Sequence, residues 1–322
     1  MSDRFDPDRR AREALALRQR RLRATGPPPS RKWLFVFLGV VLLGGLLAGG
    51  AVATDALGTG VKFQRLVRKI ELVVNPPPDR PTVATIEVTP RPSVATPSPI
   101  PQSPVPGKPS PTPTPAPVRK AVNVRIAANP AAVFKHELHV DWCAPAGTQM
   151  VLAIHGRGDT SDAFQRKLAS RVNEWESYSD SHNGDWGPAA MVEALAAYGV
   201  NGYQIHAHAT RQDALRDAAA AISETGAPVV LLAWRGAHTW VMTGYRANAD
   251  PVVFPDATVT GAYILDPWYP DVSSIWGRSD PPGAFQDNAE MIRNFLPWKR
   301  PEGRYANRDG KFIILVPTIA IR

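Results

Sequence analysis

The 322 residues hold 37 Lys and Arg against 29 Asp and Glu, 33 prolines and one cysteine, a length that suits one or two domains. The formal charge of +8 is uneven: residues 1–32 carry ten basic and four acidic side chains, residues 54–118 seven and four, and residues 119–322 twenty and twenty-one. The excess of positive charge therefore lies outside the globular part, which excludes a basic face for nucleic acid, and one cysteine excludes an internal disulfide.

Residues 1–32 read as a basic cytoplasmic tail, with the arginines acting as a topology signal. Residues 33–53, from Trp33 through Leu46-Leu47-Ala48 to Ala53, carry no charge and would span about 30 Å as a helix, the thickness of the hydrocarbon core. They are expected to form one transmembrane anchor, with Arg31 and Lys32 on the cytoplasmic side and the rest of the chain outside. Ala51-Val52-Ala53 also resembles a signal cleavage site, but the apolar run is longer than a usual signal core. Residues 54–75 form a juxtamembrane segment. There Phe63, Leu66, Val67, Ile70 and Val74 fall on one helical face with basic residues opposite, which suits a helix on anionic lipid or one packed on another element.

Residues 76–118 are rich in Pro, Ser and Thr and read as a disordered, extended spacer that holds a domain away from the membrane. Residues 119–322 are globular in composition. Residues 120–135 are a lid or a first strand. Helices are expected at Ala144–Ile154, Pro188–Tyr198 and Arg211–Glu224; Thr210 and Asp213 form a capping pair for the last, and Gly226 ends it. Short apolar runs at Pro228–Trp234, His238–Tyr245, Ala262–Leu265 and Phe312–Val316 read as strands. Helices followed by strands indicate an α+β fold.

Cys143 lies at the start of the first of these helices, where free amides and the helix dipole favour a thiolate. A thiolate nucleophile also needs an imidazole, and the imidazole needs an orienting acceptor. His238 and Asp266, the latter at the end of an apolar run and before Pro267, fit those two roles. His206 and His208 alternate as on a strand, but no nearby cysteine and no acidic residue at a familiar spacing marks them as ligands, so no metal and no other cofactor is expected. Trp142, Trp234, Trp240 and Trp268 lie near the candidate site residues in sequence and suit either cleft walls or ordinary core.

Three short motifs in order carry a resemblance: Asp141-Trp142-Cys143-Ala144-Pro145-Ala146, then His238-Thr239-Trp240-Val241 leading to Gly244-Tyr245, then Ile264-Leu265-Asp266-Pro267-Trp268. Together they resemble papain-like cysteine peptidases, and are similar to stand-alone relatives of the bacteriocin-processing (double-glycine-leader) peptidases. The resemblance covers about residues 130–320. It implies a papain-like fold of N-terminal helices on an antiparallel sheet, with Cys143 as nucleophile, His238 as base and Asp266 as its orienting partner. Two positions depart from the family pattern. Ala144 follows the cysteine where glycine is usual, and Glu137 stands where the family has a glutamine whose amide binds the oxyanion. An ionised glutamate cannot donate, which leaves a protonated Glu137, His139 or His136 to assist the Cys143 amide.

The reading is a membrane-anchored, extracytoplasmic cysteine peptidase acting on a peptide or protein substrate. Two alternatives stand beside it: a degenerate papain-like domain that binds peptides or surface proteins, and a transglutaminase- or amidase-like acyltransferase on cell-wall peptide.

Overall fold

The computed structural model describes residues 82–89, 117–177, 186–299 and 305–321, together with Arg80, Asp180 and scattered positions between 44 and 74. The chain divides into two units, Met1–Arg68 and Lys69–Arg322. In the first, the described residues are Gly44, Gly45, Gly49, Gly50, Phe63, Leu66 and Val67, all helical. Most of the expected anchor at 33–53, and the whole of the tail at 1–32, lie outside the described residues. Among the described residues no helix is long and apolar enough to cross a membrane. Phe63, Leu66 and Val67 are exposed, as are the helical Ile70 and Val74 of the second unit.

The second unit contains, in order, β1 (Thr85–Glu87), β2 (Val122–Arg125), α1 (Pro130–Val133), α2 (Cys143–Ile154), α3 (Asp162–Ser170), α4 (Val172–Trp175), α5 (Pro188–Ala197), β3 (Tyr203–His208), α6 (Arg211–Thr225) and β4 (Val229–Leu232). A turn at Ala233–Gly236 leads to β5 (His238–Ala247). The chain then continues through β6 (Val259–Leu265), β7 (Val272–Ser273), β8 (Gly277–Arg278), β9 (Ala284–Asp287), α7 (Asn288–Asn294) and β10 (Phe312–Pro317). The architecture is mixed α+β. One sheet runs β1-β3-β10-β4-β5-β6-β9, with β2 on β5, and β7-β8 is a separate two-stranded ribbon.

Burial on both faces explains the sheet's continuous apolar strands. Val229-Val230-Leu231-Leu232 is buried at every position, as expected for a strand covered on two sides. Val230, Val241, Ile205 and Leu315 meet α2 and α5 on one face. Leu231, Met242 and Ile314 meet α6 and Phe295 on the other. The expected arrangement, helices on an antiparallel sheet, therefore needs two amendments. Helices cover both faces, and the β1–β3 pair is parallel. α6 obeys its end signals: Thr210 Oγ1 accepts from the Asp213 amide, and Gly226 closes the helix at φ 66°.

A third amendment concerns the spacer. Within 76–118, Thr85–Glu87 is a strand of the sheet and not disordered linker. Residues 82–89 are free of proline and hold Thr82, Val83, Thr85, Ile86, Val88 and Thr89, so nothing blocks their pairing with β3. Val83 packs into the core beside α5. A buried ion pair anchors the same edge. The Arg308 guanidinium donates to Asp180 Oδ1 at 2.7 Å and to Thr85 Oγ1 at 3.1 Å, while Asp180 Oδ2 accepts from the Ala189 and Ala190 amides at the start of α5. Residues 120–135 form a strand and not a lid, but it is the second strand, β2, because β1 precedes it, and α1 follows.

Candidate active site

Cys143 is the first residue of α2, preceded by Trp142 at the N-cap with no side-chain cap. The first turn points its Cys143 and Ala144 amides to the same end as the thiol, and Pro145, the third residue, has no amide hydrogen. Gly147, one turn on, sets how closely α2 can approach β5. A Cβ at Gly147 would collide with Thr239 Cγ2. Thr239 is the neighbour of His238, so the absence of a side chain at Gly147 lets the helix carrying the thiol lie against the strand carrying the imidazole.

Cys143 Sγ, one ring nitrogen of His238 and one carboxylate oxygen of Glu137 lie within 4.8 Å of one another. His238 Nε2 is 2.7 Å from Asp266 Oδ1, and both side chains are buried. With Nε2–H donating to the carboxylate, the lone pair of the neutral ring is on Nδ1. Asp266 is itself held, because the same Oδ1 accepts from the Trp268 amide at 2.9 Å. The indole of Trp234 stacks on the His238 ring, centroids 3.9 Å apart and planes 17° apart, and Trp268 meets it edge-on. Trp276 stacks in turn on Trp234.

The turn that delivers Trp234 is strained. Trp234 and Arg235 have φ of 51° and 63°, left-handed values that cost a side-chain-bearing residue on the order of 1–2 kcal/mol each. Gly236 follows at φ 84° with the Trp298 ring against its Cα, where no side chain fits. Three left-handed residues in succession turn the chain tightly enough to fold Trp234 back over His238. Trp234 Nε1–H is fixed by Asn294 Oδ1 at 3.2 Å.

Glu137 is 2% exposed, and its surroundings hold it firmly. Its amide donates to the Pro267 carbonyl. On either side, Gln165 from α3 donates to the His136 carbonyl at 3.0 Å and accepts from the Leu138 amide at 2.7 Å. Gln149 of α2 accepts from Gln165 in turn. His136 is occupied elsewhere: its Nδ1 lies 3.1 Å and 2.9 Å from the Pro267 and Tyr269 carbonyls, which ties this loop to the one following Asp266. His139 is exposed and lies on Trp142, ring centroids 4.2 Å apart, outside the cluster of Glu137, Cys143 and His238.

The structure thus brings four of the six residues singled out in the sequence, Cys143, His238, Asp266 and Glu137, to one place, puts His139 beside it, and engages His136 with the Pro267 and Tyr269 carbonyls. Sequence reasoning missed Gln165 and the strained Trp234-Arg235 turn. The turn left no sign in residue type, since neither residue favours positive φ. The same nitrogen, sulfur and oxygen atoms would also suit a soft metal ion.

Neither a curated protein nor a solved structure matches the chain. A family profile described as the Peptidase_C39 like family matches residues 126–288, which contain Glu137, Cys143, His238 and Asp266 and make up half of the chain. The chain belongs to that family, a papain-like cysteine peptidase family.

Proposed function

We propose that residues 82–321 form a cysteine peptidase that hydrolyses a peptide bond through Cys143, His238 and Asp266. The observation that carries this reading is His238, which lies between the Cys143 thiol and the Asp266 carboxylate, bonded to the carboxylate at 2.7 Å and within 4.8 Å of the sulfur. His238 takes the thiol proton on Nδ1 and the thiolate attacks the peptide carbonyl carbon. The tetrahedral oxyanion collapses as the imidazolium gives its proton to the leaving amine, which departs and leaves a thioester. Water then attacks the thioester, His238 takes a proton from it, and the acid product is released with the thiol restored. Asp266 fixes the ring and stabilises its positive charge in both steps.

The oxyanion would receive the Cys143 amide at the helix start and, as second donor, the Glu137 carboxyl. Glu137 can donate only in its protonated form. Replacing it by Gln supplies an amide donor at every pH. In the native setting we place the domain outside the cell, held to the membrane by residues 33–53 on the remaining stalk.

The test is hydrolysis of a fluorogenic peptide library by the full chain and by Cys143→Ala. Turnover that persists in a folded Cys143→Ala chain overturns the proposal. Glu137 favours a second reading, a binding domain without turnover. That reading gains if neither the native chain nor Glu137→Gln cleaves any peptide while a peptide binds saturably.

A further inference from the structure

A second histidine–carboxylate cluster lies on the same sheet, away from the thiol. His206 and His208 alternate along β3 and so face the same side, the one covered by α6. Asp217, on the second turn of α6, meets both. Its Oδ2 is 2.6 Å from His206 Nδ1 and 2.9 Å from His208 Nε2. In sheet order β3 is separated from β5, the strand of His238, by β10 and β4.

Three ligand atoms of three side chains lie within 4.8 Å of one another there. The outer bond of His206 fits an ion. Both nitrogens of His206 face oxygen acceptors, Asp217 Oδ2 on one side and Gln204 Oε1 at 3.2 Å on the other. A neutral imidazole has one proton and cannot satisfy both. A ring that ligates an ion through Nδ1 keeps its proton on Nε2, where Gln204 accepts it, the outer-shell bond that metal-bound histidines ordinarily make. His208 is buried and its Nδ1 has no hydrogen-bond partner, so the ring's polar contact is made through Nε2, toward Asp217. His206 and Asp217 keep 15% and 28% of their side chains exposed, so an ion has access and a coordination position left for water.

We propose that His206, His208 and Asp217 form a three-ligand site for a divalent transition metal of the zinc type, which pins β3 to α6. Two imidazoles and one carboxylate with an open fourth position are a common zinc ligand set. The site's distance across the sheet from Cys143 gives the ion a structural role and not one in peptide hydrolysis.

The test is calorimetric titration of zinc into the full chain carrying Cys143→Ala, so that the thiol contributes no ligand. The expected result is one zinc per chain, a melting temperature raised by zinc, and binding that weakens as the pH falls, because protons compete for the nitrogens. His206→Ala and the nearly isosteric Asp217→Asn should each weaken binding by more than roughly tenfold, the loss that even an outer-shell partner can cause. Cobalt(II) in place of zinc should give the visible absorption of a tetrahedral site in the chain that retains all three ligands, a readout independent of whether the variants fold. Absence of saturable zinc binding, or binding unchanged by both His206→Ala and Asp217→Asn, overturns the proposal.

Discussion

His238–Asp266 and His206/His208–Asp217 are the same chemical pair placed in two settings. Each sets imidazole against a largely buried carboxylate on one sheet, at 2.7 Å in the first and at 2.6 and 2.9 Å in the second. What separates them is the other side of the ring. His238 has Cys143 within 4.8 Å, a strained turn that lays Trp234 on its face, and a backbone amide fixing its carboxylate. Asp217 has no thiol beside it; a second histidine takes that place. The comparison teaches that a histidine–carboxylate bond does not declare its purpose. A neighbouring nucleophile suits it to proton transfer, and a second imidazole suits it to holding an ion.

The largest expected break is at the first pair. Asp266→Asn keeps the shape but lets the ring take the wrong tautomer, and should lower kcat by about 10⁴-fold with little change in melting temperature; steady-state peptide hydrolysis checks it. Asp217→Asn should leave that rate within about twofold, because β10 and β4 lie between the two pairs in the sheet.

A third buried carboxylate sharpens the contrast, because it serves neither chemistry. Arg308→Ala strands Asp180 without its cation and should destabilise the fold by about 3–5 kcal/mol, read by urea unfolding. The loss should also loosen β1, since the same guanidinium holds Thr85.

A smaller effect should appear at Glu137. Glu137→Gln should raise kcat/KM by about 10–100-fold, because an amide donates to the oxyanion without needing a proton on a carboxylate. No gain at any pH would remove Glu137 from the oxyanion's surroundings.

The smallest effect concerns acid stability at the second pair. Asp217 has its carboxyl depressed to about 2, below its unfolded value, so its contribution is present above the unfolded value and is lost as the pH falls from about 4 through 2. Asp217→Asn should remove that part of the acid sensitivity, visible in melting temperatures taken between pH 2 and 5.

Much of the site was legible in the sequence because its chemistry names its own residues. One cysteine before an apolar helix, a histidine opening a strand and an aspartate closing the next are few enough to pair by type. The α6 boundaries were equally plain, since a Thr210 cap and a Gly226 stop act locally. β1 was obscured by its neighbourhood: Thr82 to Thr89 are proline-free and β-branched, but they lie inside a proline-rich tract. Asp217 was missed as a partner of His206 and His208 because only the packing of α6 over β3 brings it near. α3 was missed as well, and with it Gln165, which sets Glu137 in place from 28 residues away in sequence. Local signals write themselves into the chain; contacts between distant elements do not.

The central claim, that Cys143 is a nucleophile activated by His238, is tested most directly by alkylation. Cys143 is the only thiol, so iodoacetamide labelling of the full chain reports on it alone. The account predicts fast labelling already at about pH 5–6 in the native chain, and a collapse of that reactivity in His238→Ala. Labelling that rises only near pH 8–9, as for an ordinary thiol, and is unchanged by His238→Ala would contradict it.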